Sequence, residues 1–289
     1  MKPSPFEYLR PDTLEAALRA LSDHKDRDAK VLAGGQSLVP MMNFRVAAPE
    51  VLIDLNGIGE LSGISEEDGV LRIGAMTRAA AVKSNAQVAL RMPLIPMAYE
   101  HVAHATVRNR GTLGGNLCHC DPASEMPMVM LVCEAEMEIA GPGGTRTEAA
   151  EDFFLGTYTT SLEPDEILTA IRIPFARPGA RFAFEEVSLR RGDFAMVAVG
   201  VRLEAEGGIC KSLAIGLCGI ATVALRAEAA EAEAAGHELA RLNPAQLAET
   251  AVAGIPFEDT ATQTAAFRRD TTRALVQRAL ETCLTSEAT

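Results

Sequence analysis

Two glycine-containing stretches carry the groups that could bind an anionic, hydroxyl-rich ligand. The first follows a short apolar strand at residues 31–33 and reads Gly34-Gly35-Gln36-Ser37. Glycine adopts positive φ without a clash at Cβ, so this turn can point successive backbone N–H groups into one concavity. Gln36 and Ser37 add side-chain donors, and no lysine lies in the loop. The pattern favours a diphosphate, and the alternative is a plain tight turn after a strand.

The second stretch, residues 111–117, is predicted to be a second glycine loop. It combines three glycines with polar side chains that continue beyond it. The donors and acceptors suited to hydroxyl groups and ring amides are Thr112, Asn116, Asp121, Ser124 and Glu125. The chain has neither GxGxxG nor GxxxxGK[ST], so Rossmann and Walker-type sites are not expected. Two such stretches, far apart in the chain, predict opposite walls of a slot between two subdomains.

Other clusters of reactive side chains predict no metal site and no catalytic acid, base or nucleophile. The run Cys118-His119-Cys120-Asp121 cannot converge on one ion if it forms a strand, because neighbouring side chains then point to opposite faces. His101 and His104 share a helical face but lack the glutamate of a HExxH motif. The six cysteines show no CxxC pair, so neither a disulfide framework nor a zinc site is expected.

Length and composition indicate a folded protein of two domains or three small ones. The chain has 289 residues, of which 48% are hydrophobic and 23% charged. Its net charge of -12 is spread without a basic block, which argues against nucleic acid and anionic membranes as partners. No apolar run approaches the roughly 20 residues of a membrane span, and the first ten residues do not resemble a signal peptide. We therefore expect a cytoplasmic protein.

The hydrophobic pattern divides the chain into three segments. Strands at 30–33 and 50–55 with a helix from about residue 14, begun by an Asp12/Glu15 capping box, predict a subdomain at 1–56. A strand at 70–74, a helix at 93–105 and a hairpin over 136–149 predict a second at 57–176. Three antiparallel strands followed by alanine-rich helices predict a C-terminal domain at 177–289.

Three stretches together resemble the FAD-binding medium subunits of the molybdenum hydroxylases, the family of xanthine dehydrogenase, carbon monoxide dehydrogenase and bacterial N-heterocycle dehydrogenases. They are residues 33–42, residues 108–117 with 121–124 behind them, and residues 191–195. The resemblance covers the whole chain. It implies an α+β fold with a two-subdomain FAD-binding domain of the vanillyl-alcohol-oxidase/PCMH-like type. A C-terminal three-stranded antiparallel sheet with a helical bundle completes that fold.

The resemblance also implies a set of FAD-binding residues. Those expected around the diphosphate are Ala33, Gly34, Gly35, Gln36, Ser37 and Leu38. Those expected along the rest of the cofactor are Thr112, Gly114, Gly115 and Asn116, with Asp121 and Glu125 as candidates for hydrogen bonds to ribityl, ribose or ring. Val102 and Ala103 are expected against the flavin, Ile167 or Leu168 against the adenine or the ring, and Phe194 as a shield over one flavin face.

In that family the medium subunit transfers electrons, and substrate is oxidised elsewhere. The resemblance implies a large molybdopterin subunit, a small subunit with two-iron two-sulfur clusters, and a dimer of heterotrimers. FAD on this chain then passes electrons to an external acceptor. The expected activity is that of an oxidoreductase subunit, and this chain alone leaves the organic substrate open.

Some positions depart from the family pattern, and two other functions stay open. Gln36 stands where His or Asn is common, Cys118 and Cys120 flank His119 in place of alanines, and Glu186 lies near a position that is often Lys. One alternative is a free-standing FAD oxidase, although no His or Cys lies in the first glycine loop for a covalent flavin. The other alternative is a nucleotide-binding scaffold subunit.

Overall fold

Short helices and strands alternate through the first two thirds of the chain, and longer elements follow. The structure is a computed structural model that describes residues 2–286. Its helices are α1 Leu14–Asp23, α2 Leu38–Asn43, α3 Ala79–Ser84, α4 Ala86–Arg91, α5 Leu94–Tyr99, α6 Ala105–Arg108, α7 Leu113–His119, α8 Glu125–Val132, α9 Ala150–Phe153, α10 Glu228–Ala234, α11 Pro244–Val252 and α12 Ala265–Thr285. Its strands are β1 Glu7–Leu9, β2 Ala29–Leu32, β3 Val51–Asp54, β4 Ile64–Glu67, β5 Val70–Gly74, β6 Glu136–Gly141, β7 Gly144–Ala149, β8 Phe154–Gly156, β9 Thr159–Thr160, β10 Ile167–Pro174, β11 Arg181–Ser188, β12 Ala195–Glu206, β13 Ile209–Cys218 and β14 Leu225–Arg226.

The first sheet is parallel, in the order β1-β3-β2, and positions the first glycine loop directly after β2. β3 is buried along its whole length, as expected for the central strand of a covered parallel sheet. Helix α1 packs through Ala17 and Leu21. The predicted capping box is wrong by one residue, because Thr13 and not Asp12 accepts the Ala16 N–H.

The second sheet is antiparallel, in the order β4-β5-β10-β6-β7. The predicted hairpin is the β6–β7 pair, turned at residues 141–144. Strand β5 spans the predicted residues 70–74. Sheet and helices enclose an apolar core that includes most of α8, among them Met126, Met128 and Met130.

The third sheet is antiparallel, in the order β11-β12-β13-β14. Its three long strands were predicted, and the two-residue β14 extends the sheet at one edge. Alternate residues of β12 and β13 face opposite sides, with valines and leucines towards α10, α11 and α12. The other side carries Gly200 and Gly216, paired in register, against which α8 lies.

Two predicted elements differ from the structure. The helix expected over 93–105 is split into α5 and α6, because Ala103 has φ 49° and turns the chain. The Arg108 guanidinium stabilises this turn by donating to the carbonyls of Val102 and Ala103 at 2.8 and 2.7 Å. The second glycine stretch is not a loop, since Leu113–His119 forms α7.

Candidate functional site

A cavity of about 560 Å³ is lined by residues from all three segments of the chain. This volume lies in the range of about 300–1,000 Å³ that small-molecule sites occupy. Every predicted FAD-binding residue except Asp121 lines it. These residues are Ala33, Gly34, Gly35, Gln36, Ser37, Leu38, Val102, Ala103, Thr112, Gly114, Gly115, Asn116, Glu125, Leu168 and Phe194.

The first glycine loop presents a row of backbone donors to this cavity. Within residues 2–286, none of the N–H groups of residues 34–38 has a protein acceptor, and neither has the Ser37 hydroxyl. Gly35, at φ 71°, gives the backbone the turn that such a concavity requires. The Gln36 amide bonds weakly to the Gly34 carbonyl at 3.4 Å. Such an arrangement can bind an anion through neutral donors.

The two glycine stretches touch each other, so they form one continuous wall rather than opposite walls of a slot. A methyl group placed on Gly34 would lie 2.3 Å from the Arg110 carbonyl oxygen and 2.6 Å from the Gly111 Cα. One placed on Gly115 would lie 3.1 Å from the Ala33 Cβ. Both stretches line the same cavity, and their glycines allow the two backbones to approach each other.

Arg78 joins these two stretches through hydrogen bonds. Its guanidinium donates to the Arg110 carbonyl and, at 2.6 Å, to the Asn56 side-chain oxygen. The Asn56 amide in turn donates to the Ala33 carbonyl at 2.8 Å. The path from Ala33 to Arg110 therefore fixes the relative position of the loops that line the cavity.

The helix α7 positions the polar groups of the second stretch. The Thr112 hydroxyl caps it by accepting the Gly115 N–H at 3.0 Å. Gly114 lies against Ala75, where a Cβ would be 2.5 Å from the alanine Cβ. The Asn116 side-chain oxygen accepts from Ser124 at 2.9 Å, while its NH₂ group has no acceptor among residues 2–286 and lines the cavity.

Two buried side chains, the carboxylic acid Glu125 and the phenol Tyr99, belong to the cavity wall. Glu125 is 4% exposed, and burial together with nearby Glu186 raises its pKa to about 8. Tyr99 lines the cavity, and its hydroxyl is buried without a hydrogen-bond partner within the described chain. Burial also raises the Tyr99 pKa. Both groups can hydrogen-bond to a ligand.

Apolar groups complete the wall. Val102 and Ala103 come from the turn between α5 and α6, and Leu168 from β10. Phe194 lies in the connection between β11 and β12 and is 65% exposed. Gly192 of the same connection, at φ 86°, packs against His104. The placement is compatible with a flat ring bound between these groups.

Asp121 is the predicted residue that the cavity lining does not include. Its carboxylate accepts the Ala123 N–H at 2.9 Å and the Tyr158 hydroxyl at 3.3 Å, so it orders the turn before α8. The run from Cys118 to Asp121 ends a helix and is not a strand, with Cys120 left-handed at φ 48°. Within residues 2–286, no three His, Cys, Asp or Glu side chains are grouped to hold a metal ion.

Several lining or supporting residues were missed from sequence. Tyr99 lies in an apolar helical pattern, which suggests only a core residue. Arg78 lies just before a predicted helix and belongs to no recognisable motif. His119 lines the cavity with its ring centroid 4.9 Å from that of Tyr158, and burial lowers its pKa. Glu186 was noticed only as a departure from a family pattern. Their role follows from positions in space, for which the sequence offered no local signal.

Comparisons with known proteins agree over nearly the whole chain. Residues 4–176 match the family model described as the FAD binding domain in molybdopterin dehydrogenase. Residues 182–283 match the CO dehydrogenase flavoprotein C-terminal domain. The carbon monoxide dehydrogenase medium chain of Afipia carboxidovorans is 42% identical over 230 residues, 80% of each chain. Caffeine dehydrogenase subunit beta of a Pseudomonas species is 37% identical, over 97% of this chain and 95% of its own.

Solved structures show the same architecture. Carbon monoxide dehydrogenase from Hydrogenophaga pseudoflava superposes with a TM-score of 0.94 at 39% identity, covering 98% of both chains. Quinoline 2-oxidoreductase from Pseudomonas putida 86 gives a TM-score of 0.92 at 36% identity, again over 98% of both chains. In the described part of the present chain, no helix has the length and apolar character required to cross a bilayer.

Proposed function

Because this chain belongs to the FAD-binding medium subunits of the molybdenum hydroxylase family, we propose that it receives electrons from iron–sulfur clusters on a partner and passes them to an external acceptor. Its cofactor is FAD and it is an oxidoreductase component, as its relatives are dehydrogenase subunits. When bound, FAD supplies the electron-carrying chemistry. The chain contributes no catalytic acid, base or nucleophile to the oxidation of substrate.

The observation that carries this proposal is the cavity with its unpaired donors. The N–H groups of residues 34–38 and the Ser37 hydroxyl suit a diphosphate, with Ala33 and Leu38 at the ends of the loop. We assign the remaining cofactor contacts to the other lining residues that were predicted. They are Val102, Ala103, Thr112, Gly114, Gly115, Asn116, Glu125, Leu168 and Phe194. Asp121 supports the turn behind them.

The site lies where the three proposed domains, 1–56, 57–176 and 177–289, each contribute residues to one cavity. For example, Gly34 comes from the first domain, Gly114 from the second and Phe194 from the third. A cofactor held in this way would couple their relative positions. The core clusters support the division in part, since the C-terminal sheet has its own core with α10–α12 while its other face joins the core around α8.

We propose a small iron–sulfur subunit and a large molybdopterin subunit as partners, in a dimer of heterotrimers, and an organic substrate selected on the large subunit. The relatives support the last point, because chains similar to this one are named for caffeine, carbon monoxide and nicotine enzymes. We also propose the cytoplasm as the compartment. The six unpaired cysteines, five of them buried, are consistent with a reducing environment.

The test is co-expression with the companion chains, followed by flavin analysis. We expect a yellow complex with FAD equimolar to this chain, released on acid denaturation. Anaerobic addition of substrate should bleach the flavin absorption only when the iron–sulfur chain is present. Colourless protein would favour the scaffold alternative, and substrate-dependent bleaching of the isolated chain would favour a free-standing oxidase.

A covalent flavin, which a free-standing oxidase often carries, has weak support in the cavity. The cysteine and histidine that line it are Cys118 and His119. Burial raises the pKa of the Cys118 thiol, so it stays protonated and is a poor nucleophile at neutral pH. FAD that remains attached after denaturation would contradict this interpretation.

A further inference from the structure

Two buried carboxyl groups face each other where the FAD-binding part of the chain meets the C-terminal sheet. Glu125 begins α8 and lines the cavity. Glu186 lies on β11 with its side chain 1% exposed, and the two carboxyl groups are within hydrogen-bonding reach of each other. One carboxyl oxygen of Glu186 is buried and has no hydrogen-bond partner in the part of the chain that the structure describes. Neither Glu125 nor Glu186 forms an ion pair with an arginine or lysine within residues 2–286.

Among residues 2–286, the groups around the pair supply no compensating positive charge. Tyr99 and Asp121 lie near Glu125, and the Cys218 thiol of β13 is close to both carboxyl groups. Ser188 contacts Glu186 from its own strand. The His101 Nδ1 is 3.9 Å from a Glu186 oxygen, but burial and the charge of Arg191 lower the His101 pKa, which favours the neutral ring.

Two carboxylates without a counter-ion in an apolar setting cannot both ionise at neutral pH, so the pair retains a proton. The backbone N–H of Glu125 favours its ionised form, but burial and the charge of Glu186 act the other way and are together stronger. Burial raises the pKa of Glu186 as well, whereas its contacts with Ser188 and Glu125 lower it. Glu125 is the member of the pair that lines the cavity, so a proton on its carboxyl group faces a bound ligand.

We propose that Glu125 meets the bound cofactor as a neutral carboxylic acid and donates a hydrogen bond to one of its acceptor atoms, with Glu186 as the positioning residue that keeps it protonated. This inference rests on the proposed function. Its consequence is that FAD binding requires a proton. Below about pH 8 the donor is present, and above it Glu125 ionises, loses the donor and brings a negative charge to the same atom.

The experiment is a titration of the full-length, flavin-free chain with FAD between pH 6 and 9.5, followed by quenching of FAD fluorescence. For one linked proton, we expect Kd to rise roughly tenfold per pH unit above the transition. E125Q keeps a donor, because its amide also donates, so its Kd should rise far less at high pH than that of the wild type. E186Q should move the transition to lower pH, because its amide stabilises ionised Glu125.

A matched control is available on the same strand. Glu185 points away from the pair and bonds to Arg278 at 2.6 Å, so E185Q should leave the transition unchanged. Thermal unfolding of each variant checks that it is folded. The proposal is overturned if wild-type Kd is level across this range or falls with pH, or if folded E125Q binds poorly at every pH. Failure of the wild-type chain to bind FAD even at pH 6–7 would instead overturn the proposed function.

Discussion

At the scale of single residues, the two neighbouring glycines of the first loop are required for different reasons, one for a close backbone contact and the other for a positive φ. Gly34 is needed because the second stretch approaches its Cα, and a methyl group there would lie 2.3 Å from the Arg110 carbonyl oxygen. Gly35 is needed for its φ of 71°, since a Cβ there would point towards Leu32 and Val39 and not into the cavity. A side chain at 35 would therefore disturb the turn itself rather than fill the cavity.

Replacing Gly34 by alanine should separate the two glycine stretches. The added methyl cannot fit against the backbone at 110–111, so the loops must move and the donors of residues 34–38 lose their arrangement. We expect Gly34→Ala to weaken FAD binding at least tenfold and to lower the free energy of unfolding by about 1–3 kcal/mol. FAD titration and urea unfolding measure the two effects.

Gly143 provides the control for this substitution. It lies in the β6–β7 turn with no atom within 4 Å of a Cβ, so Gly143→Ala should change the unfolding free energy by less than about 0.5 kcal/mol. It should also leave FAD binding intact. If Gly34→Ala binds FAD as the control does, then the contact between the loops is not what shapes the site.

The exposed ring of Phe194 should matter for access and not for stability. Because 65% of the residue is exposed, Phe194→Ala should cost less than about 0.5 kcal/mol in unfolding free energy. Removing the ring opens the cavity wall at this point, so iodide should quench the fluorescence of bound FAD more strongly. Leu189→Ala, in the same connection but outside the lining and 75% exposed, should leave quenching unchanged. Equal quenching in both variants would remove Phe194 from its proposed shielding role.

At the scale of elements, α8 is the piece on which the site depends. It is buried on all sides, begins with Glu125 at the cavity, and lies against the face of the third sheet that carries Gly200 and Gly216. Ion pairing adds to this contact, since the Arg202 guanidinium on β12 is 2.7 Å from the Glu134 carboxylate just beyond the helix. The two glycines let the helix approach the sheet and so set the position of Glu125 relative to Glu186.

Alanine at these two glycines should destabilise the protein to different extents. At Gly216 a Cβ would lie 2.5 Å from a methyl of Val132, whose β-branched side chain is stiff, and 2.7 Å from Met128 Cγ. At Gly200 it would meet first the Met128 sulfur at 2.8 Å, which can rotate away. We expect Gly216→Ala to cost about 1–3 kcal/mol and Gly200→Ala less, by chemical denaturation. A larger loss of stability in Gly200→Ala than in Gly216→Ala would mean that the sheet, and not α8, moves to accommodate the added methyl group.

Sequence patterns predicted those elements whose limits are set by nearby residues. β5 and the β6–β7 hairpin follow from alternation and turn glycines, and both match the structure. The helix expected over 93–105 failed because a guanidinium from beyond it, that of Arg108, stabilises a left-handed turn at Ala103. The glycines of α7 looked like a loop, yet Thr112 caps a helix there and Gly114 fits against Ala75.

The candidate site was predicted largely by family resemblance, and its deeper layer was not. Residues 33–38 and 112–116 belong to contiguous motifs, and all of them except Leu113 line one cavity. Tyr99, Arg78 and Glu186 are single residues whose importance depends on which elements pack together. Asp121 lies in the same motif as the second stretch, but its carboxylate accepts a backbone N–H and does not line the cavity.

At the scale of the whole molecule, the Glu125–Glu186 pair links protonation to folding. A group whose folded-state pKa is raised stabilises the fold fully below its unfolded pKa, and this stabilisation is lost as the pH rises through the folded pKa. For Glu125 these limits are its ordinary 4.5 and about 8. Between them the flavin-free protein should therefore lose stability, by a few kcal/mol at most, since one pKa unit corresponds to about 1.4 kcal/mol.

The prediction is checked by thermal unfolding of flavin-free wild type and E125Q between pH 5 and 9. The wild type should have a Tm several degrees lower at pH 9 than at pH 5, because unfolding frees Glu125 to ionise in water. E125Q cannot ionise there, so its Tm should change distinctly less over the same range, and the difference between the two curves isolates this carboxyl from the other titrating groups. Parallel curves would mean that Glu125 is already ionised in the folded chain, and its role as a neutral hydrogen-bond donor would fall with that result.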